Sequence, residues 1–268
     1  MAAQAEERRG FGLLEAYVLA LTVFLLLPLV MAVVLSFSDS YRLEFPPPGY
    51  SLRWYEMALS NTQFTTAFWN SFRTAFFVAV LAGIAGTAAA IALNHYRFFG
   101  RAWVQLLIVM PLAVPGIVVG LGQLFSLRYL GLAPGQTAST LAHGILGVPY
   151  VTFMVLASLS NYDITLEHAS ANLGAGRWRT FWSITFPHVR PGVIAGCVFA
   201  FLISFDQISL SLFVSRGDLL PLRLLQYIQY SNDPSVAAVS ALLVVLALVV
   251  LVFFGRVLRA NQLQNFKA

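Results

Sequence analysis

Apolar residues fall along this chain in long runs separated by short polar stretches. A helix needs about 20 apolar residues to cross the hydrocarbon core of a bilayer. Windows of that length predict six crossings, at 13–37, 68–93, 102–127, 138–159, 192–214 and 236–258. The first run follows Arg8 and Arg9, contains Pro28 and ends in SFSDS without a small-residue cleavage site, so it is expected to persist as the first span. The fourth carries Gly144, Gly147 and Pro149, breakers tolerated where neighbouring helices cover the freed backbone, and it is expected to face protein rather than lipid. In the third, Pro111, Pro115 and Gly116 predict a bend, which serves either as part of a gate or as a static kink.

Between the fourth and fifth runs lies the longest polar interruption, about residues 160–190. Asp163 is a good N-cap, 164–173 can form a short helix, and Gly174 supplies the left-handed residue that ends it. His168, Ala169 and Ser170 give that helix a small-residue middle, and Ile164 and Leu166 give it an apolar edge. A second stretch, 177–184, carries Trp178, Phe181 and Trp182, and Pro187 and Pro191 are expected to stop it before the fifth span. From these residues alone the segment either docks a partner or rests on lipid headgroups.

Composition agrees with the pattern. Of 268 residues, 59% are hydrophobic and 10% charged, and the mean hydropathy is +0.77, leaving too little polar surface to coat a soluble fold. One cysteine, Cys197, excludes an intrachain disulfide. The net charge of +5 comes from arginines at the ends of apolar runs, where charge fixes topology rather than reading nucleic-acid phosphates. Arg8, Arg9, Arg97, Arg101, Arg177, Arg179, Arg190, Arg256, Arg259 and Lys267 fall in one set of loops; Arg42, Arg53, Arg128, Arg216 and Arg223 fall in the other. That bias predicts both termini and the 160–190 segment on the cytoplasmic side.

Within the runs, Asp206 stands near the middle of the predicted fifth span, close to Ser204, Gln207, Ser209 and Ser211. A mid-membrane carboxylate costs about 2.5–3.5 kcal/mol on insertion scales, so it either faces a cavity on the route of a cationic solute, pairs with a group on a sister subunit, or caps a helix break. His143 has no second ligand at metal spacing and is expected to make hydrogen bonds in packing. Trp54 and Tyr55 are expected at the outer interface or against a docked protein. Lys267 is the single lysine and no G-x-x-x-x-G-K-[ST] loop occurs, so the chain should not hydrolyse ATP. Neither a zinc motif nor a nucleophile elbow is present; no catalytic residue, metal or cofactor is expected.

The interruption is similar to the cytoplasmic signature of permease subunits of binding-protein-dependent ABC importers, Glu-Ala-Ala, three residues, Gly, nine residues, Ile, one residue, Leu-Pro. Here the register runs His168, Ala169, Ser170, then ANL, Gly174, nine residues, Ile184, Thr185, Phe186 and Pro187. His168 takes the place of the family's glutamate, with Glu167 one residue earlier. SLRWYE, the pair Asn70 and Ser71, MPLAVPGIVVG, AHGILGVPYV and SFDQISLSLFVS resemble the spermidine/putrescine branch.

The resemblance implies a single permease domain over 1–268: an all-α integral membrane protein with six transmembrane helices, a type I importer fold and a cytoplasmic coupling helix. Glu167, His168, Ala169, Ser170, Leu173, Gly174 and Ala175 would couple to an ATPase, and Asp206, Gln207, Ser204 and Ser209 would line the pathway. It also implies a second permease, two cytoplasmic ATPase subunits and an extracytoplasmic solute-binding protein as partners, a bacterial-type inner membrane as location, and a small amine-bearing solute as cargo. The rival reading is an ATPase-independent channel or ion-coupled carrier using Asp206.

Overall fold

A computed structural model gives the fold and describes residues 12–160, 162–231 and 233–265, with side chains through residue 256. Arg8, Arg9 and Lys267, which contribute to the predicted orientation, and the side chain of Arg259 lie outside what is described. The helices are α1 (Leu13–Ser36), α2 (Arg53–Ser60), α3 (Thr62–His95), α4 (Arg101–Ala113), α5 (Gly116–Tyr129), α6 (Gln136–Leu159), α7 (Thr165–Asn172), α8 (Arg177–Thr180), α9 (Phe186–Phe205), α10 (Ser211–Val214), α11 (Leu220–Tyr230) and α12 (Ser235–Asn265). Five stretches are long and apolar enough to cross a membrane: Leu13–Ser36, Thr62–His95, Gln136–Leu159, Arg177–Phe205 and Ser235–Arg256. The pair α4 and α5 passes the same test together but is bent at its break, and counts as a sixth crossing if it forms one span.

The chain divides into two compact units, Met1–Asn61 with Tyr227–Leu246, and Thr62–Gln226 with Ala247–Ala268. In the first, Trp54 is 1% exposed and donates its indole N–H to the Ser38 carbonyl at 2.7 Å. This corrects the expectation for Trp54: its ring is folded inward and offers nothing to lipid or to a partner. Arg53 extends the same cluster, its guanidinium 4.3 Å from the centre of the Tyr41 ring and 4.5 Å from that of Trp54, a cation–π arrangement. Tyr55 shares a 2.6 Å hydrogen bond with Ser36 at the end of α1.

The second unit is built on α3, α6 and α9, and glycine lets their backbones approach. A Cβ on Gly147 of α6 would come within 2.9 Å of the Ala82 and 3.2 Å of the Ala200 methyl; one on Gly196 of α9 would come within 2.6 Å of the Val151 Cα. Small residues at such crossings let van der Waals contact hold helices together where lipid offers no hydrophobic drive. Half of the most apolar window of α6 is buried, the largest share of any span, as its glycines predict.

One predicted detail is sharpened and two are corrected. The third span does not merely bend: Val114 is extended, Pro115 caps α5, and the axis turns by 113°. Proline disfavours the helical conformation in the residue before it, which places the break at Val114. The fifth span, expected over 192–214, runs instead over Arg177–Phe205, so Asp206 stands at its end as the cap of α9 rather than near its middle, and helix resumes only at Ser211. Polar side chains such as Ser204, Asp206 and Ser209 compete for backbone groups and weaken the helix there. At its other end, Pro187 and Pro191 do not stop the chain's helical course. A π-helical turn, Phe181–Thr185, joins α8 to α9 and shifts the hydrogen-bond register where Pro187, in the first turn of α9, has no N–H to give.

Candidate functional site

Local rules fix α7. The Asp163 carboxylate accepts the Thr165 N–H at 2.9 Å, which holds its carboxyl below the usual range. The assigned helix starts one residue later than the sequence suggests, while the capping interaction is the expected one. At the other end Gly174 adopts φ +82°. Ala175 N–H reaches the Ser170 carbonyl at 3.1 Å and Gly174 N–H that of Ala171 at 2.9 Å, the paired closure of a Schellman motif. Leu166 (50% exposed) and Leu173 (89% exposed) are presented outward, and His168 and Ala169 are exposed with them.

Glu167 faces the other way. Its Oε1 accepts three hydrogen bonds: from Thr185 Oγ1 at 2.5 Å, Tyr162 Oη at 2.9 Å and His95 Nε2 at 3.0 Å. The three donors come from the π turn, the connection before α7 and the last residue of α3. Burial pushes the carboxyl pKa up, but bonds from Thr185, His95 and Tyr162 outweigh it and keep Glu167 below the ordinary value. Burial, with the carboxylate beside it, pushes the Tyr162 hydroxyl up to about 12. Ser170, half-buried, shares a 3.0 Å bond with Thr180 of α8. His95, Tyr162 and Thr185 escape sequence reasoning because they stand 72, 5 and 18 residues from Glu167; a histidine ending an apolar run was the one available signal.

A second polar cluster lies among the spans. His143 of α6, 1% exposed, is bonded through Nδ1 to Ser204 at 3.1 Å and through Nε2 to Ser211 at 3.3 Å. The Ser211 hydroxyl gives its proton to the Gln207 carbonyl, so it accepts from His143; the ring is then the Nε2–H tautomer, and Nδ1 accepts from Ser204. His143 thereby ties α6 to both pieces of the interrupted fifth span, as its packing assignment anticipates. Ser211 becomes a partner that sequence reasoning did not single out for His143.

The two interruptions meet. A Cβ on Gly116, at the start of α5, would stand 3.1 Å from the Ser209 Cβ, and one on Gly120 would stand 3.2 Å from the Leu210 Cα. The residues expected at a gate (Pro115, Gly116) and along a pathway (Ser209) therefore adjoin, with Pro111 one turn back inside α4. Asp206 is the C-cap of α9 and is exposed; Gln207 and Ser209 are half-buried; Ser204 is buried against His143. Among the described residues no hydrogen-bond or ion-pair partner of the Asp206 carboxylate is found. The C-terminal end of a helix is its negative pole and disfavours an acid, so the local fold supplies no stabilising reason for this one.

Several apolar crossings, a sharply bent helix pair that meets the segment after the fifth, and a polar elbow on a short helix between the fourth and fifth define a multi-span membrane protein with a built connection. A family model described as binding-protein-dependent transport system inner membrane component matches residues 79–263, and the chain belongs to that family. It is 32% identical over 254 residues to the spermidine/putrescine transport system permease protein PotC of Haemophilus influenzae, covering 94% of this chain and 98% of that one. It is 31% identical over 229 residues to the putrescine transport system permease protein PotI of Escherichia coli, covering 82% and 81%. Among solved structures, a bacterial ABC transporter involved in the import of the acidic polysaccharide alginate superposes with a TM-score of 0.66 at 16% identity, over 93% of this chain and 95% of that one. The protein is thus a multi-pass permease subunit of an ABC importer, with a type I permease fold, and the self-standing channel or carrier reading is set aside.

Proposed function

We propose that this subunit forms half of the membrane pathway for a polyamine or other small amine-bearing solute, and that α7 is the element through which ATP binding in a partner drives it. The pathway reading rests on Asp206: an exposed carboxylate with no partner among the described residues, at the disfavoured end of α9, where the segment after α9 adjoins the start of α5. An organic cation supplies the missing charge. Names of the relatives point to the same chemistry, since those proteins are spermidine and putrescine permeases.

The docking reading rests on the outward face of α7, where Leu166 and Leu173 stand exposed on the side of the chain that the arginine bias assigns to the cytoplasm. A paralogous permease, two ATPase subunits and a solute-binding protein complete the importer, both termini are cytoplasmic, and chain 1–268 acts as one permease domain. ATP hydrolysis takes place in the partner. Direction then follows from unequal affinity of ATP and of the loaded binding protein for the two conformations.

Uptake of labelled spermidine into proteoliposomes carrying the whole importer tests the pathway reading. Asp206→Asn is expected to lower uptake about tenfold, the loss of one charged contact, with the complex still assembled. Unchanged uptake by an assembled Asp206→Asn importer overturns it.

A further inference from the structure

The side of α7 that carries Glu167 borders an open cleft of about 430 Å³, lined by Ile91 and His95 of α3, Ile164, Glu167, His168 and Ala171 on or next to α7, and Phe181 of the π turn, among others. A short helix bordered by open space transmits force badly unless side chains tie it to its neighbours, because a push tilts it into the space before they move. Glu167 supplies such ties. Through one oxygen it is bonded to the end of α3 (His95), to the connection leaving α6 (Tyr162) and to the turn that leads into α9 (Thr185).

We infer that Glu167 is a positioning residue that converts movement of α7 into movement of the second and fifth spans, and that it acts within the chain rather than as a contact for the ATPase. This rests on α7 being the docking element. In the signature register His168 takes the position nominally charged with the partner contact, and it is exposed, whereas the Glu167 side chain is 22% exposed and its Oε1 is occupied by the chain's own donors. His95 is a suitable anchor: its side chain is only 9% exposed, and its ring sits within 6.1 Å of the Tyr162 ring. The Ser170–Thr180 bond joins α7 to α8 but reaches neither α3 nor α6. A charged three-way knot holds its partners more firmly than neutral bonds of the same number.

The experiment measures solute moved per ATP hydrolysed by the purified importer in proteoliposomes. Two variants are compared: Glu167→Gln, and Thr185→Val, which removes one donor at nearly constant shape. Both are expected to keep the ATPase bound and hydrolysing while solute moved per ATP falls, about tenfold for Glu167→Gln, the fold-change expected from weakening hydrogen bonds to a charged group. A lesion that merely unfolds the subunit lowers uptake and hydrolysis together and leaves their ratio unchanged; that result in both variants overturns the inference. Release of the ATPase by Glu167→Gln also overturns it, since Glu167 is then a docking contact. Leu173→Glu separates the two readings. If it leaves the ATPase bound, α7 is not the docking element; if it releases the ATPase while the Glu167 and Thr185 variants transport at the normal ratio, docking stands and the positioning role is wrong.

Discussion

Two polar clusters join separate helices of this subunit, and they are built on opposite principles. At the α7 elbow a carboxylate gathers three donors, with part of its surface still exposed. Among the spans a histidine and two serines join three pieces of helix with hydrogen bonds that a neutral ring satisfies completely, and water is excluded. The difference follows from the cost of charge: an ionised group in an apolar interior carries a desolvation penalty that hydrogen bonds offset only with good geometry, whereas a neutral network needs only that each donor find an acceptor. The elbow can use charge because solvent is at hand; the interior cannot.

Breaking the interior cluster is expected to have the largest effect. His143→Leu leaves Ser204 without its partner in a site where no water replaces it, so stability of the assembled importer should fall by about 1–3 kcal/mol. A lower unfolding temperature, read by tryptophan fluorescence, checks this, and Ser211→Ala should cost less because Nε2 alone loses a partner. An unshifted transition in His143→Leu would show that the clamp contributes nothing.

The elbow is distinguished by its pH response. Glu167 has a depressed folded-state pKa, so its contribution is fully present above the ordinary value of 4.5 and is lost as pH falls through the depressed one. Tyr162 is raised from 10.0 to about 12, so its contribution is present below 10.0 and is lost as pH rises toward 12. Protection of the α7 amides, their exchange rate corrected for the intrinsic pH dependence, is therefore expected to stay high through the neutral range and to fall at both extremes. A loss of protection centred near neutral pH would contradict this assignment.

The smallest effect is expected at the end of α7. Gly174→Ala forces a side chain into a left-handed conformation at φ +82°, at a cost of about 1–2 kcal/mol. With no atom near the new Cβ, the cost is conformational alone. Faster exchange of the Ala175 amide, with little change at Thr165, checks it.

What the residues disclose in advance, and what they conceal, follows from the range of the forces involved. Runs of apolar residues located the spans because crossing a bilayer is a one-dimensional requirement. Asp163 and Gly174 foretold the limits of α7 because capping acts within a few residues. A helix break capped by Asp206 is one reading the residues allow but do not decide: composition there remains apolar enough to span, and it is the packing of Ser209 against Gly116 and the His143 bonds that hold the chain after Phe205. The inward turn of Glu167 is hidden because His95, at the end of α3, lies 72 residues away and meets it only in the folded chain. Trp54, read as an interfacial ring, lost that role to a carbonyl 16 residues earlier.

The docking of α7 is tested most directly by placing a photo-crosslinking amino acid at position 173 of the assembled, transport-competent importer. A crosslink from that position to the ATPase subunit is expected, with none from position 167. Absence of any ATPase crosslink from position 173 while ATP-driven uptake continues would contradict the claim that force enters this subunit through α7.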